Sequence, residues 1–123
     1  MQPGAFSLSL AVKDIAASTI FYGHLGFSPV GGDPEQGWVI LRSGDVTIGL
    51  FKGMFDHNLM TFNPGWDAQA QPVEDFEDIR KLQTRLQAAG IDIANPVDPH
   101  GAGPASFLVT DPDGNPILFD QHV

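Results

Sequence analysis

Two glycines, Gly26 and Gly90, close two stretches of helical spacing that lie 64 residues apart (90 − 26), and each stretch is set in the same run of elements. Self-similarity of this kind constrains a fold more than any single motif does. In the first copy "FSLSLAV" alternates, with Leu8, Leu10 and Val12 on one side and Ser7, Ser9 and Ala11 on the other, which predicts a half-buried strand. Asp14 offers a helix N-cap, and Ile15, Ser18, Phe21 or Tyr22, and Leu25 follow at helical spacing. "FSPVGG", "GWVILRS" and "VTIGLFK" then supply three strands, the last two joined at Ser43-Gly44-Asp45. In the second copy "NLMTF" is the strand, and Asp75 is the expected cap of a helix with Phe76, Ile79, Leu82, Leu86 and Ala89 on its apolar stripe. "IDIANPV", "ASFLVT" and "PILFDQ" complete it, the last two joined by Asp111-Pro112-Asp113-Gly114-Asn115, a turn in which each residue type has its own physical reason. The chain therefore reads as two strand-helix-strand-strand-strand modules, one over about 5–53 and one over about 57–123. With no linker between them, they are expected to form a single domain over 1–123.

Bulk properties narrow the function. Fifteen acids against six bases leave a net charge of −9, the reverse of a nucleic-acid footprint. That charge also disfavours an anionic membrane surface, and it would attract a cationic small ligand, weakly. No apolar run approaches the ~20 residues needed to cross a bilayer, and "MQPGAFSLSL" has no basic n-region followed by an apolar one. The absence of cysteine removes disulfides, thiolate nucleophiles and thiolate metal ligands, and fits a cytoplasmic protein.

"LAVKDIAASTIFYGHLGF" resembles the opening strand and helix of the vicinal oxygen chelate superfamily, the group of glyoxalase I, bleomycin-resistance proteins and extradiol dioxygenases. Leu10, Val12, Asp14, Ser18, Phe21, Tyr22, Leu25, Gly26 and Phe27 carry the likeness, and "DPDGNPILF" is similar to that family's final hairpin. The resemblance implies an α+β fold of paired βαβββ modules whose mixed sheet curls around a cup, and single-domain members that form homodimers.

The resemblance also implies where a metal would sit. Its first ligand falls on Ser7, its middle ligand on His57 or Leu59 depending on register, and its last on Leu118. A serine hydroxyl is a poor ligand for Zn, Ni or Fe(II), and leucine is none at all. One imidazole does not hold a catalytic ion, which takes about three protein ligands. His57, Asp120 and His122 are a displaced alternative, although Asp120 lies ~6.8 Å beyond Leu118 along its strand. Without them, Leu118 faces an apolar cup, Asp120 stands at its rim, and Asp120 and His122 are exposed near the chain end.

Other residues bear on a ligand. Trp38 and Arg42 share parity on one strand, an aromatic wall and a bidentate anchor for an oxyanion if that face lines the cup. Trp66 lies in "NPGWDAQAQPVE", a loop of ~12 residues of the kind that often carries function. It is expected to pack over the cup, across a dimer interface, or under its own loop. His24 at a helix end and His100 in "DPHGAGPASF" read as solvated, as do the pairs Glu74–Asp75 and Glu77–Asp78 at a helix start. No GxSxG, P-loop, dinucleotide fingerprint or HExxH occurs. The reading is a homodimeric binding protein without cofactor or metal, taking a small organic ligand through Ser7, Trp38, Arg42, His57, Trp66, Leu118 and Asp120. The alternative is a metal-dependent lyase, isomerase or dioxygenase with displaced ligands.

Overall fold

The structure, a computed structural model, describes residues 2–123. Its residues group into two compact units, one of Ser7–Leu59 and one of Met60–Val123 with the segment up to Phe6. The fold is α+β, with parallel and antiparallel pairings in both units.

The first unit holds the paired part of β1 (Ala5–Ala11), then α1 (Ile15–His24), β2 (Ser28–Asp33), a 3-10 turn (Pro34–Gln36), β3 (Trp38–Ser43) and β4 (Val46–Phe51). Its strands run in the order β2-β3-β4-β1, with β1 parallel to β4 and the other pairs antiparallel. Alternation sends Leu10, Val39, Leu41, Ile48 and Leu50 to the side covered by α1, where Ile15, Tyr22 and Phe27 meet them. Asp14 caps the helix as expected, its side chain accepting from the Ala17 N–H at 3.0 Å. The stripe is narrower than the sequence suggests. Ile15 and Tyr22, two turns apart, face the sheet, whereas Phe21 and Leu25 are mostly exposed. Tyr22 turns inward between Phe21 and Phe27, edge-on to both.

The second unit holds β5 (Leu59–Asn63, paired from Met60), α2 (Ile79–Ala88), β6 (Ala105–Thr110) and β7 (Pro116–Gln121). The order is β5-β7-β6, with β5 parallel to β7. Ile79 and Leu82 of α2 are fully buried against Phe107, Val109 and Phe119, and Phe107 and Phe119 stack at 5.0 Å. Truncating either aliphatic side chain to alanine costs about 2–5 kcal/mol at sites of this kind. Asp111 orders the last turn, accepting from the Asp113 and Asn115 N–H groups and from the Asn115 amide. Those bonds, the Asn115 amide first, hold its carboxyl below the ordinary value.

Two expectations fail here. α2 starts at Ile79 with Asp78 as its cap, not after Asp75, which instead takes a left-handed conformation (φ 57°). "IDIANPV" makes one bridge, Ala94 to Leu108, rather than a strand. Asn95 is left-handed (φ 55°), Pro96 has no N–H to donate, and Val97 bonds in both directions to the buried Gln83 amide instead of to a neighbouring strand.

Candidate functional site

The face of the first unit turned away from α1 is built in rows by the register. Ser28, Arg42, Thr47 and Ser7 form one row; Gly31, Ile40, Gly49 and Ser9 the next; Asp33, Trp38, Phe51 and Ala11 the third. Three of the sequence-derived candidates, Ser7, Trp38 and Arg42, thus share one face, each half-buried. Arg42 Nε donates to Thr47 Oγ1 at 3.2 Å, which orients the guanidinium. Phe51 folds back over Gly49, where an added Cβ would come 2.5 Å from its Cε2, and Phe55 packs on Phe51 at 5.3 Å. Glycine at 49 therefore makes room for a flat aromatic surface beside Ile40. Phe51, Thr47 and Gly49 escape sequence reasoning, because only the β3–β4 register shows that they flank Arg42 and Trp38. His57 is exposed in the loop before β5, while its neighbour Asn58 accepts from the Ala11 N–H at 2.9 Å.

In the second unit the face away from α2 carries Thr61, Leu118 and Leu108 in one row, and Ser106 with Asp120 in the next. Leu118 and Asp120 share a face, as their spacing predicts, and both are half-buried. Asp120 and His122 are not idle chain-end residues. His122 Nε2 lies 3.2 Å from Asp120 Oδ2, and its ring stacks on Trp66 at 4.4 Å and 7°. Burial raises the Asp120 carboxyl above its ordinary value, partly offset by the charge and hydrogen bond of His122. Asn63 donates to the Asp120 carbonyl at 2.8 Å.

Trp66 sits under its own loop and against the chain end at once. The segment after β5 is folded by Asp67, whose carboxylate accepts from the Gln69 and Gln71 N–H groups, and by a Trp66–Pro72 bridge. A groove of about 420 Å³ runs between Trp66, Ala68 and Val73 on one side and Pro3, Gly4 and Ala5 on the other. Gly4 (φ 97°) passes so close to the Asn63 carbonyl that no side chain fits.

The acidic pairs divide. Glu77 and Asp78 are half-buried and paired: Glu77 binds Arg85, and Asp78 binds Arg80 and Gln121 while capping α2. Burial works to raise Asp78, but its bonds from Gln121 and Arg80 prevail, so its carboxyl lies below the ordinary value. Glu74, Asp75, His24 and His100 are exposed, as expected.

The residues at the implied metal positions do not fit such an ion. Leu59, not His57, opens β5 on the side of Thr61 and Leu118. The positions then hold one neutral hydroxyl and two hydrocarbon side chains, and offer a metal neither imidazole nor carboxylate. Among the described residues, no three His, Asp or Glu side chains cluster as an alternative set.

This two-module α+β architecture defines a class, and comparison places the chain in it. A family profile, Glyoxalase/Bleomycin resistance protein/Dioxygenase superfamily, matches residues 5–119. The chain belongs to that superfamily. It is similar in structure to a superfamily member from Vibrio splendidus 12B01, with 23% identity, TM-score 0.63, and 94% of this chain and 97% of that one covered. A Legionella pneumophila protein described as an NAD-dependent benzaldehyde dehydrogenase superposes with TM-score 0.69 at 15% identity, covering 96% and 99%. An extradiol ring-cleaving dioxygenase from B. fuscum matches with TM-score 0.57 at 24% identity, over 98% of this chain but 32% of that one. At these identities the likeness is one of fold. No curated protein matches the sequence.

Proposed function

We propose that the protein binds a small organic ligand on the helix-free face of its first unit, and does so without the metal used elsewhere in the superfamily. The observation that carries this reading is the shared face of Ser7, Trp38 and Arg42, with Phe51 and Ile40 giving it a flat apolar floor. An apolar surface with a few fixed polar groups is the usual composition of a small-molecule site. Leu118, Asp120 and Trp66 are separate candidates for ligand contact within the second unit, and His57, exposed and outside the strand, is the weakest candidate of the first. Homodimerisation, implied by the family resemblance, belongs to the same proposal and is read from the solution mass.

The test is a thermal-shift screen of metal-stripped protein against small aromatic and aliphatic compounds. Ligands that raise the melting temperature, and whose effect is lost in Trp38→Ala, support the reading. The metal-dependent rival draws on one observation, the Asp120–His122 pair at 3.2 Å. Retention of about one Zn, Ni, Mn or Fe(II) per chain, abolished by His122→Ala, would transfer the protein to that rival.

A further inference from the structure

The chain has three arginines among its six basic residues. Arg80 is paired with Asp78 at 3.0 Å and Arg85 with Glu77 at 2.6 Å. Arg42 instead bonds to a neutral hydroxyl, that of Thr47. Its one hydrogen bond uses Nε, toward Thr47, and leaves both terminal nitrogens as an open fork. A guanidinium held at one edge and unpaired at the other suits a planar two-oxygen anion, because the fork is already oriented. The row it occupies continues through Thr47 to Ser7, which adds a second side-chain hydroxyl. Strands lie ~4.8 Å apart, so that hydroxyl is the next donor across the sheet.

We propose that this face takes a small aromatic monocarboxylate, its carboxylate on the Arg42 fork and its ring on Ile40 and Phe51. The inference rests on the binding reading above and names its ligand class. The apolar row is two residues from the arginine row, about 6.6 Å along the strand, which matches an acid separated from its ring by a short spacer. Trp38, one row further, bounds the ring side. One guanidinium neutralises one charge. A net charge of −9 penalises each further negative charge, so a carboxylate is favoured over a phosphate dianion. The bulk charge would draw a cation, but Arg42 repels one at the site itself.

The experiment is calorimetric titration of the full chain with four matched probes: phenylacetate, phenylacetamide, phenethylamine and phenyl phosphate. Phenylacetate is expected to bind at least about tenfold more tightly than the amide, the ~1.4 kcal/mol that a charge-assisted bond readily supplies. Arg42→Gln should abolish the preference for phenylacetate over the amide. Arg42→Lys should retain part of the preference, and Thr47→Val should weaken phenylacetate several-fold while leaving Arg42 in place. Equal or tighter binding of the amide or amine overturns the ligand class but leaves the binding reading standing. Tighter binding of phenyl phosphate overturns the choice of a monoanion. If none of the four binds while the thermal-shift screen finds other ligands, this inference fails alone; if the screen is also silent, the binding reading fails with it.

Discussion

Gln121 shows how much one side chain can organise. It is 1% exposed; its Oε1 accepts from the Ile79 N–H at the start of α2, and its Nε2 donates to Asp78, Gly103 and Val123. Gln121→Ala strands the buried Ile79 donor at about 1–3 kcal/mol, whereas Gly103 and Asp78 keep their bonds from Arg80. A loss of about 1–3 kcal/mol is expected in urea unfolding, and a loss below about 1 kcal/mol would mean that water replaces the amide. Asp120 makes a prediction of opposite sign. Its raised carboxyl means that the folded chain holds the proton more tightly than the unfolded one. Ionisation therefore costs stability, and the cost grows as pH rises from the ordinary carboxylate range through the folded value. Asp120→Asn is expected to be more stable than the parent near pH 7.5, with the gap narrowing toward pH 5. Urea midpoints at the two pH values check this, and a gap that widens on acidification rules it out.

At the level of elements, the loop after β5 stands apart. Backbone bonds, the Asp67 carboxylate and the Trp66–His122 stack all hold it, so Trp66 fixes the loop and the chain end together. Trp66→Ala is expected to cost about 1–2 kcal/mol, an aromatic pair plus lost burial. It should also raise amide exchange across 66–73 well before global unfolding. Protection that stays level there would show that Asp67 alone suffices. The elements also show what was readable in advance. α1 and the strands around it were legible because the Asp14 cap, the strand alternation and the turns agree locally. The start of α2 was not: three acids, Glu74, Asp75 and Asp78, compete for the cap, and the choice falls to Gln121, 43 residues away from Asp78. "IDIANPV" alternates like a strand, yet Gln83 takes up Val97, a pairing with no local signal. The shared face of Ser7, Trp38 and Arg42 was legible only as parity. Which side the helix covers depends on Ile15 and Tyr22, which sequence spacing alone did not separate from Phe21 and Leu25.

For the whole molecule the dominant quantity is charge, and it opposes the proposed ligand at long range while Arg42 attracts it at short range. Salt separates the two effects, because the screening length falls from about 30 Å at 0.01 M to about 8 Å at 0.15 M. The acids that give the chain its net −9 act across the molecule and are progressively screened over that range. A carboxylate in contact with a half-buried guanidinium is screened far less. Phenylacetate affinity is therefore expected to hold steady or rise about two-fold between 10 and 150 mM NaCl, where an ordinary exposed ion pair would weaken. The uncharged amide should not respond, and phenethylamine should bind less well as the long-range attraction is removed. Titrations of the three probes at both salt concentrations decide the matter. A steep fall for phenylacetate would mean that its partner is a solvated surface charge rather than the oriented fork of Arg42.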